Sequence, residues 1–208
     1  MFPLGSVLFP FLPLQLRVFE ERYLMMLSAM LQAEASEFGV VLIERGQEVG
    51  GGEHRFPSGT VAQLIELGRE DDHVALVAQG ERRFEVERWL PEEPYPRAEV
   101  RAVPELVWDA GLQPLRDEAE RVVRRSLAVA TEFTELEWPA DVELSEDPVR
   151  SAWQLAGIAP VGPLDQVKLL RSASMEDLLR GVLELTAAAA ETFDAGWPEM
   201  PPGLDEGD

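Results

Sequence analysis

Two histidines, one lysine and no cysteine stand in this chain of 208 residues, so the side chains that most often do chemistry are scarce. His54 and His73 sit in polar contexts, and neither is followed three or four residues later by a side chain of metal-ligand type. Both read as surface histidines, and no metal site is expected. The lack of cysteine excludes disulfide frameworks, cysteine nucleophiles and thiolate metal sites together. A serine nucleophile would need an activating base. No G-x-S-x-G elbow is present. A Ser–Lys dyad would have to use Lys168, which lies between Val167 and Leu169 in a helical pattern. A lysine there lays its stem on the core and keeps its ammonium in water. The run Gly50-Gly51-Gly52 lacks the Gly-Lys-Ser/Thr that a phosphate loop needs, and Glu48 and Glu53 would oppose a phosphate.

Among the carboxylates, Glu20 stands apart. At about 100° per residue along a helix, it falls between Tyr23 and Leu31 on the apolar face. A carboxylate in that position needs a partner. Arg17, Arg82 and Arg83 are the candidates, and the expected role is a structural ion pair or a helix-start acceptor. The most basic stretch with aromatics is Arg82-Arg83-Phe84 followed by Arg88-Trp89. Glu81, Glu85 and Glu87 interleave with it and cancel the stripe that nucleic-acid binding would require.

These residues must be positioned by elements of two kinds. Residues 1–18 alternate short apolar runs with Pro3, Pro10 and Pro13, as strands parted by tight bends do. A helix is expected over Phe19–Ala33, with Phe19, Tyr23, Met26, Leu27, Met30 and Leu31 on one stripe. Phe38–Ile43 reads as a buried strand, and Gly46–Gly59 as a loop. Thr60–Leu67, Val74–Ala78, a segment around Phe84 and Val86, and Ala98–Ala102 read as further strands. After Pro104 the period becomes helical. Pro114, Asp147-Pro148, Pro163 and Ser174 mark four helix starts, by first-turn prolines and N-caps. Residues 132–147 hold seven acids and no base and read as a solvated connector. The last helix runs to about Phe193, and 194–208 reads as a disordered or surface-docked tail. The expected division is therefore a β-rich part over 1–103 and a helical part over 104–193.

Eighteen basic residues against 39 acidic give a net charge of −21, of which −14 falls in residues 104–208. A field of that sign repels phosphate backbones and anionic lipid, so neither nucleic acid nor membrane is an expected partner. The apolar start carries no basic leader region and is broken by prolines, so it does not read as a signal peptide. The expected compartment is the cytoplasm.

Several motifs in this order resemble the Lon protease N-terminal domain. They are Pro3-Leu4, Phe9-Pro10, Pro13-Leu14 and then Phe19-Glu20-Glu21-Arg22-Tyr23 opening a helix. FGVVLIERGQEVG at 38–50, GERRF at 80–84 and PYPRAEV at 94–100 follow, and the helical stretch 151–182 is similar to the end of that domain. The resemblance covers about residues 1–190. It implies an α+β fold: a small PUA-like β pseudobarrel with one early helix, followed by a C-terminal α-helical subdomain. It implies Glu20, Arg22, Tyr23, Arg83 and Phe84 as structural motif residues. It also implies a stand-alone protein-binding module without the ATPase and Ser–Lys peptidase of Lon, hence no cofactor and no catalytic residue. The expected partners are unfolded proteins or peptides, with a protease or another protein beside them, and oligomerisation is left open. Contact residues are expected at Met25, which points away from the apolar centre of its helix, and at Trp89 and Tyr95, which flank a proline-bounded loop. The rival readings are an adaptor or homo-oligomeric scaffold, and a hydrolase built around Glu20 and an arginine.

Overall fold

The computed structural model describes residues 1–45, 54–131 and 138–194. It is an α+β fold. Strands β1 (Phe2–Leu4) and β2 (Pro13–Val18) precede helix α1 (Glu21–Gln32). Four more strands follow: β3 (Glu37–Arg45), β4 (His54–Arg69), β5 (Val74–Leu90) and β6 (Arg97–Ala102). The sheet runs β1-β3-β4-β5-β2, with β6 also on β5. β1 lies parallel to β3; the other pairs are antiparallel. The long strand β5 is the spine. One of its edges carries β4, and the other carries first β2, along Val74–Gln79, and then β6, along Phe84–Leu90.

Glycine allows the change of partner along β5. At Gly80 an added Cβ would collide with the carbonyl oxygen of Phe9, which is backbone and cannot swing away. Phe9–Leu12 form the tight bend seen in the sequence. The Leu12 N–H donates to the Phe9 carbonyl (3.3 Å), Pro10 occupies the second position and Phe11 the third, with φ 64°. That is the signature of a type II turn, with a phenylalanine where glycine is usual. The Phe11 N–H then donates to the Gly80 carbonyl (2.7 Å) and the Gly80 N–H to the Leu12 carbonyl (2.9 Å). Two residues thus oppose one, as in a G1 bulge. Gly80→Ala should lower stability by about 2–3 kcal/mol, because the clash falls on a turn locked at both ends. A urea midpoint equal to that of the parent would contradict this.

Among the described residues a 3-10 turn at Ala110–Leu112 and four α-helices follow: α2 (Gln113–Ala130), α3 (Pro148–Ile158), α4 (Pro163–Leu170) and α5 (Met175–Asp194). Their starts follow the sequence signals. Proline stands in the first turn of the first three, the Asp147 carboxylate accepts from the Arg150 N–H (2.8 Å), and the Ser174 hydroxyl accepts from the Asp177 N–H (3.1 Å). One hydrophobic core runs through both parts, from Phe2 and Val40 of the sheet to Leu155 and Val182 of the helices. Arg83 fastens them together: it is buried, reaches carbonyls on the helical side, and lies over the Trp153 ring at 5.0 Å.

Three expectations need correction. His54–Gly59 is strand, not loop, because β4 pairs with β3 from its first residue and with β5 from Ser58; residues 46–53 lie outside the described residues. The apolar stripe of α1 is narrower than expected. Phe19 precedes the helix and is 58% exposed, and Leu31, in the last turn, is 59% exposed. The described part of the acidic connector is not simply solvated. Trp138, Ala140, Val142 and Leu144 pack against the core while Asp141 and Glu143 face water. The period of two inside that acidic run is the signal the charge count concealed. The expected tail lies outside the described residues, apart from Asp194.

Candidate functional site

The path of the sheet has two ends, β1 and β2, and they meet across an open seam. Leu4 of β1 and Leu14, Gln15 and Leu16 of β2 line the same cleft of about 520 Å³, with Ser6, Pro13 and Trp138. The cleft continues in both directions. Toward the helices it passes Leu12, Gly157 and Gln166. Toward α1 a further 270 Å³ is walled by Phe2, Val18, Phe19, Glu20 and Tyr23. Leu4, Leu14, Leu16 and Trp138 give the cleft apolar side chains beside polar lining that includes Ser6 and Gln15, and its stretch toward α1 is mainly apolar.

Backbone polarity along this seam follows from the register. The Gly80 N–H donates to the Leu12 carbonyl, so Leu14, Leu16 and Val18, at steps of two, turn their backbone groups toward β5. Gln15 and Arg17 turn theirs away. The far side of the sheet agrees. The Leu64 N–H donates to Ser36, toward β3, which leaves Gln63 facing Gln79 on β5. Among the described residues, Gln15 and Arg17 make no backbone hydrogen bond outside the strand ladder. The outer edge of β2 therefore offers two N–H donors and two carbonyl acceptors to the seam.

At the α1 end the seam borders a charged lattice. Glu20 accepts from Arg22 (3.1 Å), Arg22 also reaches Glu92 (3.1 Å), and Glu92 accepts from Arg55 (2.7 Å). Arg22 lies over the Tyr23 ring at 4.4 Å and Arg55 over Trp89 at 5.1 Å. The Met1 amine is buried beside them and donates to the Pro96 carbonyl (2.8 Å). Its pKa is pushed down to about 5, first by burial and then by the positive charge of Arg55. Glu20 is thus paired with an arginine, but with Arg22 and not with the three foreseen. Arg17 bonds the His73 ring (3.2 Å), Arg82 is held by Glu37, and Arg83 is spent on carbonyls. The nearest partner on the helix's own first turn was the one to expect.

Met25 is 44% exposed on α1, on the face its helical position indicated. Trp89 is half-buried under Arg55, and Tyr95 is half-buried against the core. None of the three lines the seam. Arg83 and Phe84 are buried, and Tyr23 stacks on Phe2 at 4.1 Å. Sequence reasoning missed Gln15, Arg17 and Trp138. The alternation Pro13-Leu14-Gln15-Leu16-Arg17 announced a half-buried strand, but only the topology shows that its outer edge is unpaired. Lys168 bonds Asp165 (2.6 Å), away from any serine-base arrangement. Among the described residues no three His, Asp or Glu side chains gather as a metal would require, and no helix is long and apolar enough to cross a membrane. An unpaired edge strand beside leucine side chains can hold an extended chain; of the polar side chains along the seam, Glu20 is held by Arg22.

This architecture is that of Lon N-terminal domains. A Lon N-terminal domain protein from Xanthomonas campestris superposes with a TM-score of 0.60 at 24% identity, over 88% of this chain and 95% of that one. The N-terminal domain of the Mycobacterium avium complex Lon protease gives 0.62 at 17% identity, over 89% and 96%. No curated protein matches the sequence. The profile of the ATP-dependent protease La (LON) substrate-binding domain matches residues 1–188, and the chain belongs to that family.

Proposed function

We propose that this chain is a non-catalytic module that binds client proteins through unfolded or extended segments. The observation that carries the reading is the seam between β1 and β2, a cleft that sets Leu4, Leu14 and Leu16 beside an unpaired strand edge. The substrate-binding family to which the chain belongs supports it. So does the charge of −21, which favours neutral or basic segments. The cysteine-free composition fits a reducing compartment, and we place this activity in the cytoplasm. Met25, the most exposed of the three contact residues expected from the sequence, is retained as a contact outside the seam. Fluorescence anisotropy with labelled unfolded proteins and short peptides tests the reading. Saturable binding is expected, and no binding at roughly tens of micromolar would overturn it.

A further inference from the structure

We infer that a client segment enters the seam as an additional β-strand, pairing with the outer edge of β2 and closing the barrel. This rests on the binding role proposed above and specifies its mode. The first argument is hydrogen-bond complementarity. Gln15 and Arg17 each present an N–H and a carbonyl outward, at the period of two that an incoming strand would match. Such main-chain pairing supplies affinity without demanding a fixed sequence, which suits a module that meets many clients. The second argument is the side-chain floor. Leu4, Leu14 and Leu16 line one cleft from two strands, so every second side chain of an inserted strand would fall on apolar surface.

The shape of the seam selects the occupant. It is bounded on both sides, by β1 and by β2, and so admits one extended chain. The edge of a second copy would bring its own sheet with it, and the β1 wall stands in the way. The occupant is therefore an extended peptide with apolar residues at alternate positions, without proline in the paired stretch, and with neutral or basic flanks to suit a chain of net charge −21. Running antiparallel to β2 gives it the stronger pairing geometry.

One substitution isolates the edge. The Gln15 N–H faces the seam and takes no part in the ladder with β5, so Gln15→Pro removes a donor from the edge and none from the fold. The residue before it, Leu14, already lies in a strand, as a residue preceding proline must. The probe is a fluorescein-labelled peptide alternating valine and threonine, with a lysine at each end. Gln15→Val keeps the backbone N–H and is the reference that accounts for loss of the side chain. Gln15→Pro should bind at least about tenfold more weakly while its melting midpoint stays in place. A peptide of the same sequence with backbone N-methyl groups on the edge facing β2 should lose affinity for the parent chain to a similar degree. If Gln15→Pro and the N-methylated peptide both bind like their parents, strand addition is wrong and side-chain binding in the proposed module survives. If the parent chain binds no peptide, both readings fall. If Gln15→Pro instead changes the sedimentation of the protein alone, the edge is occupied by a second copy, and the inference is overturned.

Discussion

Arg83→Ala should lower the stability of this chain by about 3 kcal/mol or more, because three buried carbonyls lose their donor. The guanidinium is the tie between sheet and helices. It is 6% exposed, and Nη1 donates to the carbonyls of Leu170 (2.9 Å) and Ser172 (2.7 Å) while Nη2 donates to that of Pro104 (2.9 Å). Leu170 and Ser172 lie where α4 ends, and the Arg171 N–H is already used within that end. Truncation leaves three carbonyls without their donor, each costing about 1–3 kcal/mol if water cannot enter. It also opens the space over Trp153 and forfeits the cation–π contact there. Burial lowers the pKa of the guanidinium, but its range is so high that the group stays charged. Arg83→Lys should recover only part of the loss, because one ammonium cannot reach acceptors on both sides of the junction. Chemical denaturation followed by fluorescence measures this directly, since Trp153 sits beneath the substituted residue. A midpoint shared with the parent chain would show that the junction does not depend on Arg83.

The second large effect is a pH dependence in an unusual window. The Met1 amine is held near a pKa of about 5 in the folded chain, against an ordinary value of 8.0. Between those values the unfolded chain carries a proton that the folded chain refuses. Stability therefore rises with pH from about 5 to about 8, and the contribution is lost as pH falls through the same window. Three pKa units correspond to about 4 kcal/mol as an order of magnitude. The cause is physical and local: desolvation under the 91–96 loop, with Arg55 nearby and Glu92 offsetting part of its effect. Titration of the ¹³C-labelled Met1 methine by NMR reads the pKa in the native state, while denaturation midpoints over the same range read the linkage. An amine titrating near 8 in the folded protein would remove the basis of the prediction.

The elements that were legible in the sequence are those whose side chains settle the matter locally. Asp147-Pro148 and Ser174 announced helix starts because capping is a contact within one turn. The face of Met25 was legible because a helix fixes it within a few residues. The motif residues Arg83 and Phe84 were recognised as structural through resemblance, yet nothing local said that Arg83 would reach Pro104, Leu170 and Ser172. The seam was illegible for the same reason. Its two walls are strands paired to β3 and β5, far along the chain, and an unpaired edge is a property of the whole sheet. The connector misled in a different way: seven acids dominated a composition count, while every second residue from Trp138 to Leu144 packed against the core.

The pairing of β1 with β3 and of β2 with β5 also bears on the order of events during synthesis. Each early strand must wait for a partner made much later, and at roughly 5–20 residues per second that wait lasts several seconds. During it the apolar stretch Phe2–Val18 has no sheet to join. Contacts of such long sequence separation also close slowly once both halves exist. The shared core extends the delay further, since Phe2 and Val182 belong to one cluster and the barrel cannot be fully packed before α5 emerges. A nascent chain of this protein is thus itself an exposed apolar strand, chemically akin to the segments that the proposed strand addition would place in the seam.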